Sequence, residues 1–157
     1  MKKLVCSTSS PRGTEALAKN LAALLAGGEI IFFNGPIGAG KTVMVSALAR
    51  FFGFKKRPVS ASFSLMKKYQ NKNATIYHID LFRLESAEMF NLGYEEMLED
   101  ESAIILAEWP QAAAGFFGKE RLEIDIKLKT GDKRRITFKA RGKKYEDILE
   151  NLWQKTK

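Results

Sequence analysis

The sequence is poor in cysteine and histidine, with one residue of each among its 157 residues. A single cysteine, Cys6, cannot form an internal disulfide, and a single histidine, His78, cannot form a histidine metal cluster. No apolar run approaches the roughly 20 residues that span a bilayer, and none near the basic start is long enough for a secretory signal. We therefore expect a cytoplasmic chain with no membrane partner.

Acidic residues are missing from one long stretch of the chain and basic residues from another, although the net charge is +8. Residues 54–79 contain six bases and no acid, and residues 84–118 contain acids but no base. From Lys119 onwards, thirteen bases stand against seven acids. Such asymmetry fits a polyanionic partner and fits ordinary solvated faces equally well, so the charge alone does not identify a partner.

The apolar pattern predicts one α/β domain over residues 1–157, because 45% hydrophobic residues are enough for a single core. Helical spacing covers Thr14–Leu25, Lys41–Phe52, Tyr145–Trp153 and two short pieces around Gly93 within Ser86–Glu101. Strands are predicted at Glu29–Asn34, Ser62–Tyr69, Thr75–Asp80 and Ala103–Glu108, and an antiparallel C-terminal hairpin at Arg121–Lys129 and Arg134–Lys139. These elements favour three layers, a mixed sheet flanked by helices.

A glycine-rich segment, Gly35-Pro36-Ile37-Gly38-Ala39-Gly40-Lys41-Thr42, matches the pattern G-x-x-x-x-G-K-[ST] without substitution. It follows a predicted strand and precedes a predicted helix, as a P-loop requires. Glycines let backbone N–H groups turn towards phosphates, and the helix adds the positive end of its dipole. Lys41 is expected to reach the β- and γ-phosphates, and the Thr42 hydroxyl to bind magnesium. The fold is thus predicted to be P-loop NTPase-like.

Two predicted strands end in a carboxylate that can complete such a site. Thr75–Asp80 ends in Asp80 and Ala103–Glu108 ends in Glu108. The pattern does not rank them, and both can act, one on the metal and the other on the attacking water. His78 lies two residues before Asp80, so the two share a face of a regular strand. A hydrogen bond near the site and a purely structural role both remain open for this histidine.

Markers of other nucleotide enzymes are missing. Asn71-Lys72-Asn73-Ala74 lacks the aspartate of a guanine-reading Asn-Lys-x-Asp motif, and Arg83 replaces the glycine of an Asp-x-x-Gly switch. Adenine is therefore the expected base. A small-molecule phosphotransferase remains an alternative, although the acidic segment Glu85–Glu101 would repel a phosphorylated acceptor. A nucleotide-gated RNA-binding module is the second alternative.

Several motifs together resemble the TsaE family, also called YjeE, over nearly the whole chain. His78-Ile79-Asp80-Leu81-Phe82-Arg83-Leu84 resembles the family's His-Phe-Asp-Leu-Tyr-Arg-Leu, and Glu108-Trp109-Pro110 its Glu-Trp-Pro. Within Val59-Ser60-Ala61-Ser62-Phe63-Ser64-Leu65, the last six residues resemble the family's Ser-Pro-Thr-Phe-x-Leu, with Ala61 for proline and Ser62 for threonine. The P-loop differs from the family's at Pro36 and Ile37, which stand for Asp-Leu.

The resemblance implies roles for individual residues. Ser62 stands where the family has a switch-like threonine near the γ-phosphate, Asp80 is implied as a catalytic or magnesium-associated carboxylate, and Glu108 as a magnesium ligand. Trp109 is implied as a functional aromatic near the site or a surface for partners, with core packing as the alternative. Thr14 and Arg135 are implied to touch the nucleotide, and for Thr14 a helix N-cap explains the residue equally well. The expected nucleotide-binding set is Thr14, Ile37, Gly38, Ala39, Gly40, Lys41, Thr42, Val43 and Arg135.

The resemblance also implies an activity and partners. It implies an ATPase, weak alone, that binds ATP with Mg²⁺ and supports a TsaB–TsaD complex in threonylcarbamoyladenosine modification of tRNA beside the anticodon. Contact with tRNA is expected to be indirect. The acidic segment Glu85–Glu101 and the basic C-terminal region are both candidate docking surfaces.

Overall fold

The structure, a computed structural model, describes residues 1–55, 66–82 and 93–157, with the backbone alone at residues 112–113. Within these ranges, no helix combines the length and apolar character needed to cross a membrane. The strands are β1 Lys3–Thr8, β2 Ile30–Asn34, β3 Met66–Gln70, β4 Thr75–Asp80, β5 Ile104–Glu108, β6 Arg121–Leu128 and β7 Arg134–Arg141. The helices are α1 Pro11–Ala22, α2 Lys41–Phe51, α3 Tyr94–Glu99 and α4 Lys143–Thr156, with a 3₁₀ helix at Pro110–Ala113.

The strands form one mixed sheet in the order β1-β7-β6-β2-β5-β4-β3. The central strands β6, β2, β5 and β4 run parallel, whereas β3 at one end and β7 and β1 at the other run antiparallel to their neighbours. Parallel strands bring their carboxyl ends to one edge of the sheet, which is where such folds bind ligands. The loop after β2 starts at this edge, between the ends of β5 and β6.

Helices pack on both faces of the sheet, because alternate residues of its central strands are apolar on both sides. Ile31 and Phe33 of β2 lie in the larger core cluster with residues of α1, α2 and α4. Phe32 lies in the smaller cluster with α3 and Phe117. This arrangement confirms the predicted three-layer α/β fold. It also places α2, which follows the glycine-rich loop, on the same face as Ile76 of β4 and Leu106 of β5.

The main difference from the sequence prediction is β1, which pairs with β7 at the edge of the sheet. Its pattern was not predicted because Leu4 is its single buried residue and the outward residues Lys3, Val5 and Ser7 are exposed. Helix α1 also begins three residues before the predicted Thr14, with Ser10 as its N-cap. Proline fits the first helical turn because its fixed φ suits that position, and this explains the earlier start.

The other boundaries agree with the prediction to within a few residues. Helix α1 ends at Ala22 rather than Leu25, and α4 extends from Lys143 to Thr156. The predicted strand Ser62–Tyr69 is represented by β3, and its first four positions lie outside the described residues, as does the first of the two helical pieces around Gly93.

Candidate functional site

The glycine-rich loop lies between the carboxyl end of β2 and the amino end of α2. Gly38 and Gly40 have φ angles of 78° and 108°, in the left-handed region that glycine adopts without strain. At both positions, no described atom lies within 4 Å of the place where a Cβ would be. Helix α2 begins at Lys41, so the free N–H groups of its first turn and the positive end of its dipole lie beside this open space.

The base of the loop is fixed by close backbone contacts. A Cβ on Gly35 would lie 2.6 Å from the carbonyl oxygen of Ile126, so this position accepts glycine alone without a shift of β6. The Ala39 N–H donates to the Pro36 carbonyl at 3.1 Å. Arg134 Nε of β7 donates to the Ala39 carbonyl at 3.1 Å and ties the loop to the C-terminal hairpin.

Arg134 is a site residue that the sequence reasoning missed, since the prediction chose its neighbour Arg135. On β7, buried Ile136 and Phe138 face the core that contains α2, and Arg134 shares their side of the strand. Arg135 points to the other face and is exposed. Strand alternation, which was readable in the sequence, would have identified Arg134. Arg135 as a nucleotide contact stays a prediction.

The Lys41 side chain is 6% exposed and folds back onto its own loop. Its Nζ donates to the Gly35 carbonyl at 2.5 Å and to the Pro36 carbonyl at 3.1 Å. The same ammonium lies 4.0 Å from the centroid of the Trp109 ring, a cation–π geometry. The lysine is therefore held next to the open space by weak, neutral partners that a charged ligand can replace.

The two predicted carboxylates lie side by side. Asp80 and Glu108 are register partners on the parallel strands β4 and β5, at the edge where the glycine-rich loop starts. Glu108 is 3% exposed, and its Oε2 lies 2.8 Å from Nε2 of His78. His78 is fully buried, and its contact with Glu108 agrees with the predicted hydrogen bond near the site. Asp80 is half-buried, and its Oδ1 accepts from the Phe82 N–H at 3.1 Å.

The electrostatics of the site couple Lys41 to both carboxylates. Burial lowers the pKa of Lys41, and the negative charges of Glu108 and Asp80 oppose that shift. Burial raises the pKa of Asp80, and the neighbouring Glu108 raises it further, against the Phe82 N–H, His78 and Lys41. Both shifts arise because charge is held where water is partly excluded. Such perturbed groups at a strand edge mark a candidate functional site.

Trp109 follows Glu108 directly and closes the other side of the loop. Its φ angle of 55° is the single positive value among the non-glycine residues that the structure describes. The ring contacts Phe82, with 4.8 Å between centroids, as well as the Lys41 ammonium. A strained backbone at such a place fixes the ring beside the loop at an energetic cost. Trp109 therefore lies at the site as predicted, while its functional role stays a prediction.

Thr14 lies inside helix α1, where it is buried. Its hydroxyl is 2.9 Å from the Thr8 hydroxyl and donates to the Ser10 carbonyl at 3.3 Å. The N-cap is Ser10, whose hydroxyl accepts from the Gly13 N–H at 3.1 Å. The alternative reading of Thr14 as the N-cap is therefore wrong, and its contact with a nucleotide stays a prediction.

The remaining predicted residues fall on the loop or beyond the described ranges. Ile37 is 75% exposed at the tip of the loop, and Thr42 is exposed in the first turn of α2 with half-buried Val43 beside it. Ser62, the predicted switch residue, lies outside the described residues, so its role near the γ-phosphate stays a prediction.

The donor set suits a magnesium ion carried by a nucleotide. No group of three or more histidine, cysteine or acidic side chains that can hold a metal occurs within the described residues. Mg²⁺ in phosphate sites typically takes one or two protein oxygens and completes its shell with phosphate and water. Thr42, Glu108 and Asp80 supply oxygen donors at the edge where the loop opens. A metal bound by Thr42, Glu108 and Asp80 stays a prediction.

Comparison with known proteins extends this picture from the site to the whole chain. A family model described as threonylcarbamoyl adenosine biosynthesis protein TsaE matches residues 8–136. The Bacillus subtilis tRNA threonylcarbamoyladenosine biosynthesis protein TsaE is 35% identical over 152 residues, which cover 97% of this chain and 95% of that protein. The protein of the same name from Rickettsia conorii is 35% identical over 128 residues, 80% of this chain and 72% of its own.

A solved structure gives the same result for the fold. The crystal structure of Bacillus subtilis YdiB superposes with a TM-score of 0.85 at 31% sequence identity. The superposition covers 99% of this chain and 97% of that one.

Proposed function

Because this chain belongs to the TsaE family of threonylcarbamoyl adenosine biosynthesis proteins, we propose that it is a P-loop ATPase that serves the formation of threonylcarbamoyladenosine in tRNA. It binds and hydrolyses Mg-ATP and so supports a complex of TsaB and TsaD, which modifies tRNA beside the anticodon. Its role is to drive that complex rather than to donate phosphate to a metabolite.

One observation carries the proposal. Lys41 stands at the junction of β2 and α2, and two carboxylates, Glu108 and Asp80, end the neighbouring parallel strands on the side of the sheet that α2 covers. A lysine, a helix amino end and acidic strand ends at one edge are the parts that phosphoryl chemistry needs. A glycine-rich turn with a merely structural role requires neither a buried lysine nor the acids.

Phosphate binding in this proposal falls to the loop and the start of α2. The N–H groups around Gly38 and Gly40 and the first turn of α2 donate to phosphate oxygens. The Lys41 ammonium leaves the carbonyls of Gly35 and Pro36 and binds the β- and γ-phosphates instead. The exchange is favourable because an ammonium is attracted more strongly to an anionic phosphate oxygen than to a neutral carbonyl oxygen.

In this proposal, Thr42 and Glu108 bind the metal. The Thr42 hydroxyl is exposed in the first turn of α2, and Glu108 is kept in one orientation by His78. Magnesium, when bound, neutralises charge on the phosphate oxygens. A carboxylate held by a buried histidine loses little conformational freedom when it binds a cation, because its rotamer is already fixed.

In this proposal, Asp80 orients the attacking water. The carboxylate is half-buried, with one oxygen on the Phe82 N–H, and its other oxygen can accept a hydrogen bond from water. The water oxygen adds to the γ-phosphorus, the bond from that phosphorus to the bridging oxygen breaks, and ADP and inorganic phosphate leave. The base is adenine, since the guanine-reading Asn-Lys-x-Asp motif and the Asp-x-x-Gly switch of GTPases are both missing from the sequence.

Steady-state ATP turnover, measured with and without a TsaB–TsaD preparation, tests the proposal. We expect weak turnover by the chain alone and clear stimulation by the complex. Lys41→Ala is expected to reduce turnover by about 100-fold or more, since it removes a preorganised cation. Lys72→Ala is the matched control, because Lys72 is an exposed lysine in the turn between β3 and β4.

The outcomes separate the alternatives. Unchanged nucleotide affinity and turnover in Lys41→Ala would overturn the P-loop assignment. Phosphate appearing on an added metabolite would favour a small-molecule phosphotransferase. Absence of hydrolysis even with the partner complex would leave nucleotide binding as the function of the loop.

A further inference from the structure

The end of the β6–β7 hairpin carries a concentration of positive charge. Lys127, Lys129, Lys133 and Arg135 are all exposed, and we call these four side chains the basic hairpin end. Asp132 is the one acid between residues 127 and 135. None of the four forms an ion pair or a side-chain hydrogen bond within the described residues.

The other charged side chains on this face of the β6–β7 hairpin form ion pairs with one another. Glu123 of β6 pairs with Arg121 at 2.8 Å and with Arg141 at 2.6 Å. Asp125 pairs with Lys139 of β7. The hairpin therefore satisfies its cations along most of its length and leaves its excess charge at one end. This end is where β6 meets the carboxyl edge of the parallel strands.

Two polar connections join the hairpin to the nucleotide loop. Arg134, adjacent to Arg135, donates to the Ala39 carbonyl at 3.1 Å. Asn34, the residue before the loop, donates to Asp125 at 3.0 Å. The hairpin that carries the charge is therefore tied to both ends of the segment from Asn34 to Ala39.

We propose that the basic hairpin end binds the phosphate backbone of RNA, with the tRNA of the modification reaction as its ligand. The inference rests on the proposed function, which supplies the RNA, and departs from the sequence-based expectation of indirect contact. Exposed lysine and arginine side chains without internal partners gain free energy by releasing counterions from a phosphate backbone. Such contacts position an RNA without reading its sequence.

The surface chemistry favours RNA over an acidic protein. Protein interfaces bury an apolar or aromatic centre and are depleted in lysine. Between residues 127 and 135, Leu128 is the single large apolar side chain that is exposed. Three lysines and an arginine match a polyphosphate better than a folded protein surface.

The test measures binding of a labelled tRNA transcript to the full chain across a salt series. The variant is Lys127→Glu with Lys129→Glu, and its matched control is Lys72→Glu with Lys155→Glu, two exposed lysines in the β3–β4 turn and on α4. Both pairs change the net charge equally. We call the Lys127→Glu, Lys129→Glu variant the hairpin pair, and we expect it to bind tRNA at least about tenfold more weakly. The slope of log K against log salt concentration should become shallower by about 1.5, at roughly 0.7 to 0.9 per lost phosphate contact.

The control pair is expected to leave affinity and slope near the parent values. Equal losses in both pairs would overturn the proposal, because net charge alone would then explain binding. Absence of tRNA binding by the parent chain would also overturn it, as would loss of TsaB–TsaD binding by the hairpin pair with tRNA affinity unchanged. Circular dichroism confirms that both variants fold.

ATP turnover without RNA keeps this test separate from the proposed function. The hairpin pair is expected to retain parental turnover, since neither lysine contacts the loop. A parent chain without ATP turnover that still binds tRNA through the basic hairpin end would contradict the proposed ATPase. It would still support the proposed RNA-binding surface. Arg134→Gln is expected to remove any difference in tRNA affinity between the ATP and ADP states.

Discussion

The ends of β4 and β5 are alike in sequence and topology but differ in how they hold their carboxylates. Asp80 and Glu108 are register partners on adjacent parallel strands. Glu108 is buried and fixed at 2.8 Å by His78, a side chain that comes from β4 and crosses to β5. Asp80 is half-buried, and its bond is to the backbone of the next turn. One strand end is locked by its neighbour, whereas the other can adjust.

This difference suits a division of labour. A carboxylate whose orientation is fixed by a second side chain is suited to a metal, which demands defined geometry. A carboxylate with a raised pKa and partial access to solvent is suited to water. The comparison therefore supports the proposal that Glu108 binds the metal and Asp80 the water, a choice that the strand pattern left open.

The largest expected effect comes from Glu108→Gln, which keeps the shape and removes the charge. We expect ATP turnover to fall by about 100-fold to 1000-fold, because a preorganised charge beside the phosphates is lost. Nucleotide binding without magnesium should change little. Equal loss of magnesium-free binding and of turnover would show that Glu108 is structural.

Asp80→Asn is expected to reduce turnover by about 100-fold while nucleotide and magnesium affinity stay near the parent values. The free energy of unfolding should rise at neutral pH, since the ionised carboxylate is held where burial disfavours it. Urea unfolding and single-turnover hydrolysis measure the two effects. A variant that is both less stable and weaker in magnesium binding would reverse the ranking of the two acids.

His78→Gln removes the lock on Glu108 but leaves both carboxylates in place. We expect about a tenfold rise in the magnesium concentration for half-maximal nucleotide binding, because outer partners of metal ligands contribute that much. Titration of magnesium against nucleotide binding, by calorimetry, is the measurement. A loss of stability with unchanged magnesium dependence would assign His78 to core packing alone.

The smallest expected effect is a pH dependence of stability that belongs to Asp80. Its pKa in the folded chain is raised above the ordinary value of 3.8, so the folded state binds more protons than the unfolded state between those two values. Stability of the parent chain relative to Asp80→Asn should therefore rise as pH falls through the folded pKa and level off below about 3.8. A parent chain that loses stability relative to Asp80→Asn as pH falls would give the shift the opposite sign.

The sequence predicted the parts of the site that depend on strong local patterns. The loop Gly35–Thr42 and the strands ending in Asp80 and Glu108 were all found, because apolar runs and glycine spacing are local signals. The contact between His78 and Glu108 could not be found, since it joins residues 30 apart through strand pairing. Arg134 was missed although the alternation of β7 marks it. Strand β1 was missed because one buried residue gives no clear period.

The resting position of Lys41 on the carbonyls of Gly35 and Pro36 has a consequence for affinity. The two carbonyls compete with phosphate for the Lys41 ammonium. Because they belong to the same chain, this competition does not weaken when the protein is diluted. In the proposed function, the measured dissociation constant for ATP is the intrinsic constant divided by the fraction of molecules whose lysine is released. Whatever loosens those two carbonyls tightens nucleotide binding without touching the nucleotide.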